Sequence, residues 1–121
     1  MDQYFEGLKT IAITVCDAEG NVLDMNQRSA DVNSHGHKII GNNLMDCHPE
    51  PAKTKLKGLL AHQEQNIYSI EKTNTDGSKV KKLIYQTPWY KEDGSFGGLV
   101  EYSLEIPFDM PHFVRQPKPQ Q

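Results

Sequence analysis

Apolar and polar positions alternate along this chain with a period that changes several times. Thr10 to Cys16 is a β-branched run that suits a strand covered on both faces. Asp17-Ala18-Glu19-Gly20-Asn21 follows as a turn, where Gly20 supplies the positive φ that closes a hairpin, and Val22 to Met25 is a short second strand. Asn26 or Ser29 opens a helical stretch through Asp31 and Val32, and Ser34 to Gly41 is irregular. Glu50 to His62 predicts the longest helix. Pro51 suits its first turn, Ala52, Leu56, Leu59 and Leu60 fall at helical spacing, and Lys53, Lys55 and Lys57 take other faces. Three strands are predicted after it, Asn66 to Asn74, Lys79 to Tyr90 and Gly97 to Ile106, joined by the turns Asp76-Gly77-Ser78 and Asp93-Gly94-Ser95. In the second of these strands Leu83, Tyr85, Thr87 and Trp89 share a face. In the third, Val100, Tyr102, Leu104 and Ile106 are expected to point into the core and Glu101, Ser103 and Glu105 out of it. Pro88 removes a ladder donor, so that end of its strand is expected to be an edge or a bulge.

The order is strand, strand, short helices, longer helix, three strands. It predicts an antiparallel α+β domain whose helices cover one face of a single sheet. Asp2 to Lys9 reads as a short amphipathic helix carrying Tyr4, Phe5 and Leu8, and Gln116 to Gln121 as a polar, Pro-rich disordered tail. The expected division is an N-terminal helical cap over 1–9, a domain over 10–106 and an irregular tail over 107–121, consistent with one domain in 121 residues.

Composition narrows the function classes. Lys and Arg number 13 against 16 Asp and Glu, a net charge of −3, so no overall positive field draws the chain to nucleic acid or anionic lipid. The apolar run from Ile11 to Cys16 is far shorter than the ~20 residues that span a bilayer. The N-terminal residues Met1 to Glu6 lack the basic region and apolar block of a signal peptide, and the two cysteines read as reduced thiols; both point to the cytoplasm.

Three stretches together resemble a PAS domain, over roughly Ile11 to Ile106. Ile13 to Asn26 resembles the family's opening hairpin, which usually ends in Asn. Gly41-Asn42-Asn43-Leu44-Met45-Asp46-Cys47-His48-Pro49-Glu50 resembles its glycine, leucine and His-Pro-Glu segment before the long helix. Asp76-Gly77-Ser78 and Asp93-Gly94-Ser95-Phe96-Gly97-Gly98 resemble its two closing hairpins. The resemblance implies a PAS-like, five-stranded antiparallel sheet in the order second, first, fifth, fourth, third, with helices over one face and a pocket between them. It also implies a sensory, ligand-binding or dimerisation role in signal transduction. Family members are commonly modules beside output domains, for which this chain has no room. It is expected to act alone, through a signalling partner, or as part of something longer. Pro107 and Pro111 argue against a long continuous helix after the last strand.

Candidate pocket residues, carried over by position, are Ile39, Ile40, Leu44, Leu56, Leu60, Tyr85, Trp89 and Tyr102. They form an apolar set of the kind that lines small-molecule sites, and a small apolar or planar organic ligand is expected there. Haem is the alternative cofactor, with His48 or His62, at the start and end of the predicted helix, as its ligand. His35, His37, Cys47 and His48 are the densest group of metal-ligand side chains, but their spacing matches no standard structural zinc pattern. Cys47 also lacks the sequence setting of a flavin-binding cysteine. A homodimer is expected through the exposed sheet face and the N-terminal helix with Tyr4, Phe5 and Leu8. The remaining alternatives are a ligand-free protein–protein interaction scaffold and a small α+β isomerase using Asp24, Asp31 or Asp46 as base. The chain carries no Gly-x-Ser-x-Gly, P-loop or dinucleotide fingerprint, and the expected activity is binding without turnover.

Overall fold

In the computed structural model, which describes residues 1–119, the β-branched run forms β1 (Ile11–Asp17) and pairs antiparallel with β2 (Val22–Met25). A short N-terminal turn of helix, α1 (Gln3–Glu6), precedes them, and α2 (Gln27–Asn33), α3 (Leu44–Cys47) and α4 (Ala52–His62) follow. The chain then returns through β3 (Asn66–Thr73), β4 (Lys79–Tyr90) and β5 (Phe96–Ile106). All five strands make one antiparallel sheet in the order β2-β1-β5-β4-β3. The expected strands are all present, with ends that differ by at most one residue. The four-residue α3 was not anticipated, because one turn carries no hydrophobic period to detect. It is capped locally, the Asn43 side chain accepting from the Met45 N–H at 2.8 Å. Residues 107–119 form no helix or strand, and the expectation for Gln120 and Gln121 lies outside the described residues.

Asn26 joins the hairpin to the helices. It is fully buried, and its Oδ1 accepts from the N–H of Ser29, capping α2, and from the N–H of Ile13, each at 3.0 Å. Its Nδ2 donates to the carbonyls of Phe5 and Ile11, each at 2.9 Å. One side chain thus fastens β1, the N-terminal segment and α2 together. Beside it, Glu6 accepts from the Gln27 N–H at 2.9 Å and pairs with Lys38 at 2.6 Å; the Lys38 ammonium holds the Glu6 carboxyl below the usual carboxylate range.

The expectation that Val100, Tyr102, Leu104 and Ile106 face the helices is corrected by the register. Residues opposite one another in an antiparallel pair share a face. Ile13, Tyr102 and Tyr85 make one such row, and Ile11, Leu104 and Leu83 the next. This apolar face turns away from α2, α3 and α4. The helices cover the other face, where Thr14, Glu101 and Gln86 form a row. Alternation in a sequence shows that two faces differ; it does not show which one a helix will meet.

The covered face is closed at one end by α4, which buries Leu56, Leu59 and Leu60 against Cys16 and Leu99. A second cluster, Val22, Met25 and Ala30, packs under Ile39 and Leu44. Gly98 makes the close approach of β5 to β1 possible, and Gly97 makes room for Trp89 of β4. Gly98 has φ +153°, and a Cβ there would lie 2.0 Å from the Cys16 carbonyl oxygen; a Cβ on Gly97 would lie 2.4 Å from the Trp89 ring. Trp89 uses that space to donate its indole N–H to the Cys16 carbonyl at 3.0 Å. Pro88 falls where β4 has passed the start of β3 and pairs only with β5, beside a register shift at Trp89/Tyr90.

Candidate ligand cavity

Between the covered face and the helices lies a cavity of about 250 Å³. The sheet contributes Thr14 and Cys16 from β1, Met25 from β2, Gln86 from β4, and Leu99 and Glu101 from β5. The helical layer contributes Ser29 and Asn33 from α2, Leu44 and Cys47 from α3, Leu56 from α4, and Ile39 and His48 from the connecting segments. Apolar walls near Leu56 and Leu99 therefore meet a polar wall near Glu101.

The polar wall is ordered by hydrogen bonds. Gln86 Nε2 donates to Glu101 Oε1 at 2.8 Å, and Asn66 Nδ2 donates to Gln86 Oε1 at 2.8 Å. Thr14 and Ser29 share a short hydroxyl–hydroxyl bond, and Asn33 Nδ2 donates to Ser29 Oγ at 3.2 Å. His48 Nδ1 lies 2.7 Å from the Leu44 carbonyl oxygen. A carbonyl only accepts, so this nitrogen is the donor. Burial pushes the Cys16 thiol up, and the Asp17 and Glu101 carboxylates add to the effect, so Cys16 stays a neutral, small apolar wall residue and not a nucleophile.

Three of the eight expected pocket residues, Ile39, Leu44 and Leu56, line the cavity. Leu60 is buried in the adjoining core, and Ile40, 53% exposed, points to solvent. Tyr85 and Tyr102 stand on the opposite face of the sheet, where they line a shallow apolar groove with Ile11, Leu83 and Leu104. Their placement differs from expectation for the same reason as the strand alternation. Trp89 packs on Gly97 and does not line the cavity. Among the haem and metal candidates, His48 and Cys47 are at the cavity wall, whereas His35, His37 and His62 are exposed. Among the described residues, no three His, Cys, Asp or Glu side chains converge as a metal site would require. The sequence reading missed Glu101, Gln86, Thr14, Ser29 and Met25. Polarity pointed Glu101 outward, and the cross-strand register that brings it to Gln86 is not written in any local pattern.

A family model described as the PAS fold matches residues 10–107. The chain belongs to the PAS family. As a PAS domain it is similar in fold to solved structures. A PAS domain from Colwellia psychrerythraea is 20% identical, with 86% of this chain and 92% of that chain covered and a TM-score of 0.58. The PAS domain of Bordetella pertussis BvgS is 16% identical, with 86% and 82% covered and a TM-score of 0.62. VqmA bound to DPO is 14% identical, with 88% and 56% covered and a TM-score of 0.63. No curated protein matches the chain significantly. The fold is that of a sensory or signalling domain. Among the described residues no helix is long and apolar enough to cross a membrane.

Proposed function

We propose that this PAS domain is a non-catalytic sensor that takes a small organic ligand into the cavity between its sheet and helices and passes the change on through a dimer or partner surface. The observation that carries the reading is the cavity itself: one apolar end, one ordered polar wall, and a helical layer with short elements that a ligand can order. Its volume of about 250 Å³ is just below the ~300–1,000 Å³ of sites for drug-sized molecules, which favours a ligand smaller than haem or flavin. A solved structure of similar fold is named as VqmA bound to DPO, which agrees with this use of the fold. The domain proper is residues 10–106, flanked by the cap over 1–9 and the tail over 107–121. The free thiols Cys16 and Cys47 suit a reducing, cytoplasmic setting.

The proposed dimer uses the outer sheet face and the N-terminal segment, where Tyr4 is 73% and Phe5 49% exposed and Leu8 is half-buried. The same outer groove favours one other reading, a ligand-free scaffold that binds a signalling protein through Ile11, Leu83 and Leu104. Native mass spectrometry of freshly purified protein tests both. An added mass on the folded species supports the sensor. A bare dimer that shows no thermal shift with any small molecule supports the scaffold. A bare monomer with no shift counts against both.

A further inference from the structure

A carboxylate at the end of a hydrogen-bonded row sets the chemistry of the cavity. Asn66, Gln86, Glu101 and Thr14 stand opposite one another on β3, β4, β5 and β1, all on the covered face. Ionised Glu101 can only accept, so Gln86 must present its Nε2, which turns Gln86 Oε1 towards Asn66 and obliges Asn66 to donate in turn. The charge at one end thus orients both amides. Glu101 Oε1 is occupied by Gln86, while Oε2 has no hydrogen-bond partner among the described residues. On the opposite side, His48 Nδ1 is taken up by the Leu44 carbonyl. Asn33 spends a donor on Ser29. Of the polar groups left over, Glu101 Oε2 is the one that carries a full negative charge, on a lining shared with the apolar side chains of Leu56 and Leu99.

We propose that the ligand of this cavity is a small organic ammonium ion, an apolar body bearing a protonated amine that donates to Glu101 Oε2. The inference rests on the reading of the cavity as a ligand site and specifies its selectivity. A protonated amine forms a charge-assisted bond, about twice as strong as a neutral one, and replaces the water that Glu101 would otherwise lose. A carboxylate of the same size meets like charge at Glu101.

The test uses three probes of one shape, benzylamine, benzyl alcohol and benzoate, titrated at neutral pH into isotopically labelled full-length protein. Amide shifts are followed at Leu44 to His48 and Leu99 to Tyr102. Benzylamine is expected to shift these amides with about tenfold higher affinity than benzyl alcohol, and benzoate to bind most weakly. Glu101→Gln keeps the size and an acceptor for Gln86, and is expected to erase the amine preference, so that benzylamine and benzyl alcohol shift the cavity amides with equal affinity. Equal binding of the three probes, or a preference that survives Glu101→Gln, overturns the inference and leaves the cavity reading standing. Benzylamine shifts confined to surface carboxylates such as Glu64 and Glu92 overturn it as well. If none of the probes moves the cavity amides, the cavity reading falls and the ammonium inference with it.

Discussion

The two faces of the sheet reverse the usual division of labour. The face under the helices carries Thr14, Gln86 and Glu101 in its middle, while the bare face carries Ile11, Leu83, Tyr85, Tyr102 and Leu104. A face built only to be covered would put the apolar set under the helices, because burying a polar group costs free energy unless it finds a partner. Here the Asn66–Gln86–Glu101 bonds tie the polar row together and leave Glu101 Oε2 unpartnered among the described residues, with a cavity over the row. The outer face is therefore the one available to another protein surface, and the inner face the one suited to a small molecule.

The largest effect that tests this contrast compares Leu59→Ala with Tyr102→Ser. Leu59 is 1% exposed in the inner core, so its truncation is expected to cost about 2–5 kcal/mol in chemical denaturation. Tyr102 is 37% exposed, and at low protein concentration its loss is expected to cost about 1 kcal/mol or less. Equal costs would mean that the outer face is covered in solution. A cost at Tyr102 that grows with protein concentration would identify a second copy as the cover.

Asn26→Ala comes next. It removes the cap of α2 and leaves buried backbone groups of Ile11 and Ile13 without partners, and is expected to cost about 2–4 kcal/mol. The same variant should loosen the N-terminal segment from the hairpin, seen as faster amide exchange from Phe5 to Gly7. Unchanged exchange there would show that the Glu6–Lys38 pair and the Gln27 bond hold the segment without Asn26.

A pH effect separates the far hairpins from both faces. Hydrogen bonds from the Ser78 and Ser95 side chains and N–H groups hold the Asp76 and Asp93 carboxyls below their ordinary values. A folded-state pKa below the unfolded one gives stability that is fully present above the unfolded value, near ~3.9, and is lost as pH falls through the folded value. The melting temperature is expected to fall with acid in that window, and less steeply for the double variant Asp76→Asn, Asp93→Asn. An identical acid limb in the variant would show that other carboxylates dominate.

The smallest effect is a gain. Gly58 lies inside α4 with open space around the position of a Cβ, so Gly58→Ala is expected to stabilise by about 0.5–1 kcal/mol without altering either face. A loss instead would indicate that a partner approaches α4 at this point.

The sequence by itself determined the elements. The β-branched run of β1, the two Asp-Gly-Ser turns and the leucine spacing of α4 are local signals, and local hydrogen bonding and side-chain period enforce them; the start of α2 is narrowed only to Asn26 or Ser29. The family resemblance added the sheet order that periodicity lacks. What only the tertiary structure decided is which face of that sheet the helices meet. A strand presents both faces equally, and the choice depends on how the chain from Asn26 to His62 crosses back over the sheet. That crossing moved Tyr85 and Tyr102 out of the expected pocket and brought Glu101 and Gln86 into it. It also joined them across strands about 15 residues apart in sequence, a contact fixed by register and not by any neighbouring residue.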